Sequence, residues 1–305
     1  MSTKEEPNAA AIINAIKEML PPPIQHIEFD GLRVPVLVSR NPDDGSLHSM
    51  GLEDLVDPAR VRPRARSGSA TFTNQTSFEE HAKRFAGDNT TLWGDRGDRT
   101  SPKLVSVLDY HHAGADGLPE FGAHRGVYRF PLSEEWRTWT AADGASMDQA
   151  RFAEFIESNL LDVVSPDSAP DHLTATLGAL EMAVASATQL VQLSRGLKVF
   201  VSSEVEDTTN LSSGECEIRF KIEHRDKTGG KLRVPGALVI HVPVFDGGVG
   251  VTLAVLLRYQ VVADRLMWTL KLYRPTAAFD AAFSEACLNA ASNTGLPLFF
   301  GVSED

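Results

Sequence analysis

Val234-Pro-Gly-Ala-Leu-Val-Ile-His-Val-Pro-Val244, then Val251-Thr-Leu-Ala-Val-Leu-Leu257, then Leu266-Met-Trp-Thr-Leu-Lys-Leu272 is the stretch that sets the fold class. Leu238, Ile240, Val242 and Val244 recur at every second position. So do Val251, Leu253, Val255 and Leu257, and Leu266, Trp268, Leu270 and Leu272. That period lines one face of an extended chain with apolar side chains. Asp246-Gly-Gly248 and Ala263-Asp264 supply turns between the runs. Upstream, Val199 and Val201, then Cys216, Ile218, Phe220 and Ile222, keep the same period around Ser213-Gly214 and Thr228-Gly-Gly230. An antiparallel meander of five or six strands is expected. Such a sheet keeps one face wet and needs a layer over the other.

Two segments offer that layer. Residues 171–194 carry Leu173, Leu177, Leu180, Val184, Ala187, Leu190 and Val191 at helical spacing before Gly196, and predict one long central helix. A last helix around 277–291 presents Phe279, Phe283, Cys287 and Leu288. The tail Leu296-Pro-Leu-Phe-Phe300-Gly is too apolar to hang free, and is expected to join a sheet edge in its own subunit or another.

The first half mixes helices and strands. Asn8 and the apolar positions of 8–20 predict a short helix ended by Pro21-Pro22-Pro23. Alternating residues on both sides of Asp30-Gly31 predict a hairpin, with Pro35 pointing to an edge strand. Ser77-Phe-Glu-Glu80 reads as a capping box for a helix with Phe78, His81, Ala82 and Phe85 on one face. Leu104 to Leu108 reads as a buried strand. Ser133-Glu-Glu-Trp136 opens a short helix whose Trp136 and Trp139 share a face, read as core with a base-stacking surface as the alternative. Ser146-Met-Asp-Gln149 is a second capping box, ahead of Phe152, Phe155 and Ile156. The fold class expected is α+β: an antiparallel C-terminal meander packed with a long central helix and a C-terminal helix, joined to a mixed α/β N-terminal half. The organisation expected is an arm at 1–23, a half at 24–165 and a half at 166–305, with one continuous domain over the two halves as the alternative.

Composition bounds the function classes. Of the 305 residues, 42% are hydrophobic and 23% charged, which suits a globular chain. A net charge of −12 opposes general affinity for nucleic acid, because that affinity comes from Lys and Arg neutralising phosphates. Cys216 and Cys287 have no metal-type spacing, so neither a disulfide framework nor a zinc site is expected, and a reducing cytoplasmic setting fits. There is no secretory-type leader and no run of 18 apolar residues, so no membrane partner is expected. Nucleophile elbow, phosphate-binding loop and dinucleotide fingerprint are all missing, and no cofactor is expected.

Two constellations stand out. Arg60, Arg62, Arg64 and Arg66 alternate with Val61, Pro63 and Ala65, which in an extended segment aims four guanidinium groups one way, toward phosphates or an acidic partner surface. The bland reading is a solvated edge. Asp109 and His111 end the buried strand and His124 opens the next, across a loop with Asp116 and Glu120. Two histidines and a carboxylate suit a metal triad or acid–base work. The bland reading is a set of polar residues that close a hairpin through backbone hydrogen bonds.

Leu108-Asp-Tyr-His111, His124-Arg125, Tyr128, Glu135-Trp136, Trp139, Met147, Phe152-Ala-Glu-Phe155, Glu157, Pro166, Leu256-Leu-Arg-Tyr259 and the 270–275 region together resemble the YfdQ-like family of phage and prophage proteins, from about Thr71 onward. That family has no established function and is encoded often beside DNA-metabolism and recombination genes. The resemblance implies a phage-derived protein in a bacterial cytoplasm, and it carries over no functional residues. The leading expectation is a non-enzymatic protein that self-associates and acts by binding, as a modulator of host or phage DNA metabolism or as a homo-oligomeric assembly. A nucleic-acid-binding recombination accessory using Arg60 to Arg66 with Trp136 or Trp139 is the second. A metal-dependent hydrolase or nuclease at Asp109, His111 and His124 is the third.

Overall fold

In the computed structural model, residues 24–29, 32–41, 44–51, 65–114, 117–199, 205–210, 216–220, 231–262 and 265–304 are described. The expected arm at 1–23 and Arg60, Arg62 and Arg64 lie outside them. By its contacts the chain divides into Met1–Arg66 and Ser67–Asp305. The expected boundary at 165/166 instead falls inside the second unit, where elements from both sides share one core.

In the first unit, β1 (Ile24–Phe29), β2 (Leu32–Arg40) and β3 (Leu47–Gly51) form an antiparallel sheet in that order. Phe29 pairs with Leu32, as the hairpin reading requires. β2 is the central strand, against the edge position that Pro35 suggested. Its ladder with β3 starts at Val36 opposite Gly51, so the imino nitrogen lies one residue outside that ladder.

The second unit runs β4 (Gly68–Phe72), α1 (Gln75–Phe85), β5 (Thr91–Asp95), β6 (Lys103–Val107), β7 (His124–Arg129), α2 (Glu134–Ala142), β8 (Ser146–Asp148), α3 (Gln149–Ser158), α4 (Asp171–Ala179) and α5 (Ala187–Val199). It continues with β9 (Val205–Asn210), β10 (Cys216–Phe220), β11 (Lys231–Val234), β12 (Ala237–Pro243), β13 (Gly250–Val262), β14 (Arg265–Leu272), α6 (Pro275–Thr294) and β15 (Leu298–Phe300). The α+β class and the antiparallel C-terminal strands are as expected. The meander, however, is split: β11-β10-β9 form one sheet and β12-β13-β14-β8 another, while β15-β5-β6-β7-β4 make the largest. The expected strand at 199–201 is replaced at Val199 by the end of α5.

The long central helix is also divided. Glu181 takes a left-handed backbone at φ 53, and Met182 N donates to Leu177 O at 2.9 Å, which ends α4. Ala183 O then accepts from Gly236 N and Ala237 N at 3.1 Å each, and Ala185 N donates to Ala237 O at 2.8 Å. Sheet pairing takes these backbone groups from the helix. Ser186 restarts it, its Oγ accepting from Gln189 N while Gln189 Oε1 accepts from Ser186 N.

Two helix starts shift for similar reasons. Asn74, extended at φ −136, accepts from Ser77 N and caps α1, so Ser77 sits inside the helix. Asp148 accepts from Arg151 N and caps α3, because Ser146–Asp148 is drawn out as an edge strand beside Met267–Thr269. The short helix read from Ser133 onward is α2; Ser133 Oγ caps it by accepting from Trp136 N, and the helix turns Trp136 and Trp139 into the core at 5% and 1% exposure. Those rings offer no stacking surface to a nucleic acid. α6 buries Phe279, Phe283, Cys287 and Ala290. It comes so close to β5 that a Cβ on Gly94 would sit 3.1 Å from Cys287 Sγ. Burial pushes the Cys287 thiol up to about 12, which leaves it a small hydrophobe.

Candidate functional site

The end of β6 places Asp109 under the loop that leads to β7. Its Oδ2 accepts from Ala123 N at 3.1 Å and its Oδ1 from His124 N at 3.0 Å, while its carbonyl accepts from Gly122 N. The carboxylate is thus a loop clasp. His111 Nδ1 accepts from Glu120 N at 3.0 Å, and its Nε2 lies 3.3 Å from Glu304 Oε2. His112 Nε2 lies 3.3 Å from Glu120 Oε1.

His124 points elsewhere. Alternation along β7 sends His124, Gly126 and Tyr128 toward α1, where the His124 ring meets Phe85 at 5.0 Å and His81 at 6.0 Å. The fold therefore joins Asp109 to the backbone of His124 and to neither imidazole. Among the described residues no group of three His, Cys, Asp or Glu is placed to hold a metal ion. Asp116 lies outside the described residues. Arg66 is exposed at the close of the first unit.

The opposite face of the five-stranded sheet meets the tail. Phe299 rests on Trp93 at 5.0 Å, and Trp93 in turn meets Tyr110 at 5.6 Å. Arg125 reaches back from β7, with Nη1 donating to Ser303 Oγ at 3.3 Å and Nη2 to Glu304 O at 2.5 Å. β15 pairs in parallel with β5, bracketed by Leu92 N donating to Pro297 O and Gly301 N donating to Gly94 O. Because alternate residues face the neighbouring strand, Leu298 and Phe300 turn their peptide groups to the outer edge. The tail joins a sheet edge of its own chain, and it leaves Phe299 45%, Phe300 56% and Val302 68% exposed.

The apolar, strand-like character of the tail was legible in the sequence. A second feature was not. Between α1, the end of β7, the turn 245–249 and α6 lies a cavity of about 580 Å³ with Glu79, Tyr128, Asp246 and Glu285 on its walls. These residues come from four distant segments with no common motif, so no spacing rule could have grouped them.

A family model described as an uncharacterized conserved protein, DUF2303, matches residues 13–303. The chain belongs to the DUF2303 family. The match runs across both units of this DUF2303 chain. No curated protein and no solved structure matches it. Among the described residues of the DUF2303 chain, no helix is long and apolar enough to cross a membrane.

Proposed function

We propose that the protein acts by binding rather than by catalysis, and that its first partner is a second copy of itself seated along β15. The observation that carries this reading is the character of that edge. Sheet edges are ordinarily blunted by a very short edge strand, charge, proline, a bulge or a covering element, and β15 is three residues long. Here the edge strand presents outward peptide groups and two exposed phenylalanines. A second β15 related by a two-fold axis would run antiparallel to the first, pair those peptide groups and cover the rings. The clasp role of Asp109 and the separation of His111 from His124 favour binding over metal-assisted hydrolysis.

The resemblance to the YfdQ-like proteins supports a phage or prophage origin and a bacterial cytoplasmic setting, in which the assembly modulates host or phage DNA metabolism. Light scattering on a size-exclusion column, with absorbance read at 260 and 280 nm, tests the reading. A discrete, nucleic-acid-free oligomer is expected, and it should dissociate in the double variant Phe299→Lys/Phe300→Lys with an unchanged circular dichroism spectrum. A wild-type monomer at every concentration overturns it. A particle that carries nucleic acid redirects attention to Arg60 through Arg66.

A further inference from the structure

The cavity between α1 and α6 has a composition that defines its ligand. Among the described residues that line it there is no Lys, Arg or His, yet Glu79, Asp246 and Glu285 all contribute carboxylates. Glu79 is 6% exposed. Its Oε1 accepts from Gln75 Nε2 at 2.9 Å and its Oε2 from Asn293 Nδ2 at 3.0 Å, so both oxygens are held by neutral amides. Among the described residues no cation pairs with this carboxylate, so its charge is left for a ligand to meet.

Tyr128 is a second and independent sign. The residue is 4% exposed and lines the cavity, and its hydroxyl is open to the solvent there, with no hydrogen bond to any described residue. Burial and the neighbouring Asp246 carboxylate push the phenol above the usual tyrosine range, so it stays neutral and keeps lone pairs for an N–H donor. Phe130 and Phe245, 5.0 Å apart, supply apolar and π surface for a hydrocarbon stem or a cation.

The carboxylates sit on α1, on the 245–249 turn and on α6, and they do not converge on one point that could hold a metal ion. Spread charges in a roomy, aromatic-walled cavity suit a chain with several cationic nitrogens. We propose that this cavity binds an alkyl di- or polyamine, with one ammonium group against Glu79 and the Tyr128 hydroxyl and the others toward Asp246 and Glu285. This site is separate from the β15 edge and does not depend on self-association there.

Calorimetric titration of the full chain at low salt with putrescine and with spermidine tests the proposal, with 1,4-butanediol as the uncharged control and magnesium chloride as the competitor. Saturable binding of one amine per chain is expected, absent for the diol and retained in magnesium. Losing a charged hydrogen-bond partner should weaken it about tenfold or more in Glu79→Gln. Asp246→Asn, at the exposed rim, gives the same reading if Glu79→Gln fails to fold, and Tyr128→Phe should weaken binding without any change in net charge. No saturable binding, complete displacement by magnesium, or binding unchanged in all three variants would overturn the assignment.

Discussion

Phe152 and Trp268 lie face to face, with ring centroids 4.4 Å apart and planes 13° from parallel. The pair joins α3 to β14, and Trp268 Nε1 completes it by donating to Gln149 Oε1 at 2.6 Å. Both rings are fully buried. Trp268→Ala should therefore cost about 3–5 kcal/mol, and Gln149→Leu only about 1 kcal/mol, because it leaves the indole N–H without an acceptor but also removes a buried amide nitrogen that has no partner among the described residues. Urea denaturation monitored by fluorescence and circular dichroism checks both, and a loss under 1 kcal/mol for Trp268→Ala would mean that this contact is not central.

Asp109 holds two backbone amides, so Asp109→Ala should loosen the loop before β7. We expect faster hydrogen exchange at Gly122, Ala123 and His124 and a global loss of about 1–2 kcal/mol, with the β12–β14 sheet unchanged. Exchange rates at those three amides equal to wild type would contradict the clasp role.

Gly126 sits against Ser106 and His81. A Cβ there would lie 2.7 Å from Ser106 Oγ and 3.3 Å from His81 Nδ1. Both of those atoms are buried, and among the described residues neither has a hydrogen-bond partner. Gly126→Ala should destabilise by about 1–3 kcal/mol. Ser106→Ala alone should be neutral or stabilising, because it deletes an unpaired buried hydroxyl, and it should rescue much of the Gly126→Ala loss. Strict additivity of the two changes in a double-mutant cycle would disprove the steric account.

Acid should weaken the fold through His81. Burial lowers its pKa from 6.5, and His124 and Arg84 lower it further. The unfolded chain thus binds this proton more readily than the folded one. Stability is full above pH 6.5 and is lost as pH falls from there through the folded-state pKa. Melting temperatures measured from pH 7.5 down to 5 should decline less steeply in His81→Gln than in the wild type. Parallel profiles would remove His81 as the cause.

What the sequence disclosed follows from the range of the forces involved. Leu253, Val255 and Leu257 could be assigned to one buried face because the period-two rule is local, and the β12–β14 order followed from short turns. The short helix that opens at Ser133 was legible for the same reason. The break at Glu181 was hidden, since what ends α4 is competition from the backbone of Gly236 and Ala237, more than fifty residues away. Ser146–Asp148 is too short to show a period, and only Met267–Thr269 makes it a strand. The Asp109–His111–His124 constellation was visible as residue types, but the direction of His124 depends on the helix that covers β7, and that helix is placed by tertiary packing.

The pairing of Leu298 with Leu92 also bears on how the chain reaches its native state. β5 can pair with β6 as soon as a short intervening loop closes, yet its other side stays open until residues some two hundred positions later arrive. Contacts of such separation slow folding, and an unpaired strand edge is the kind of surface on which partly folded chains stick to one another. Residues 298–300 therefore govern the window during which refolding competes with aggregation. Weakening the Arg125 grip on 303–304 should lengthen that window and lower refolding yield before it changes equilibrium stability.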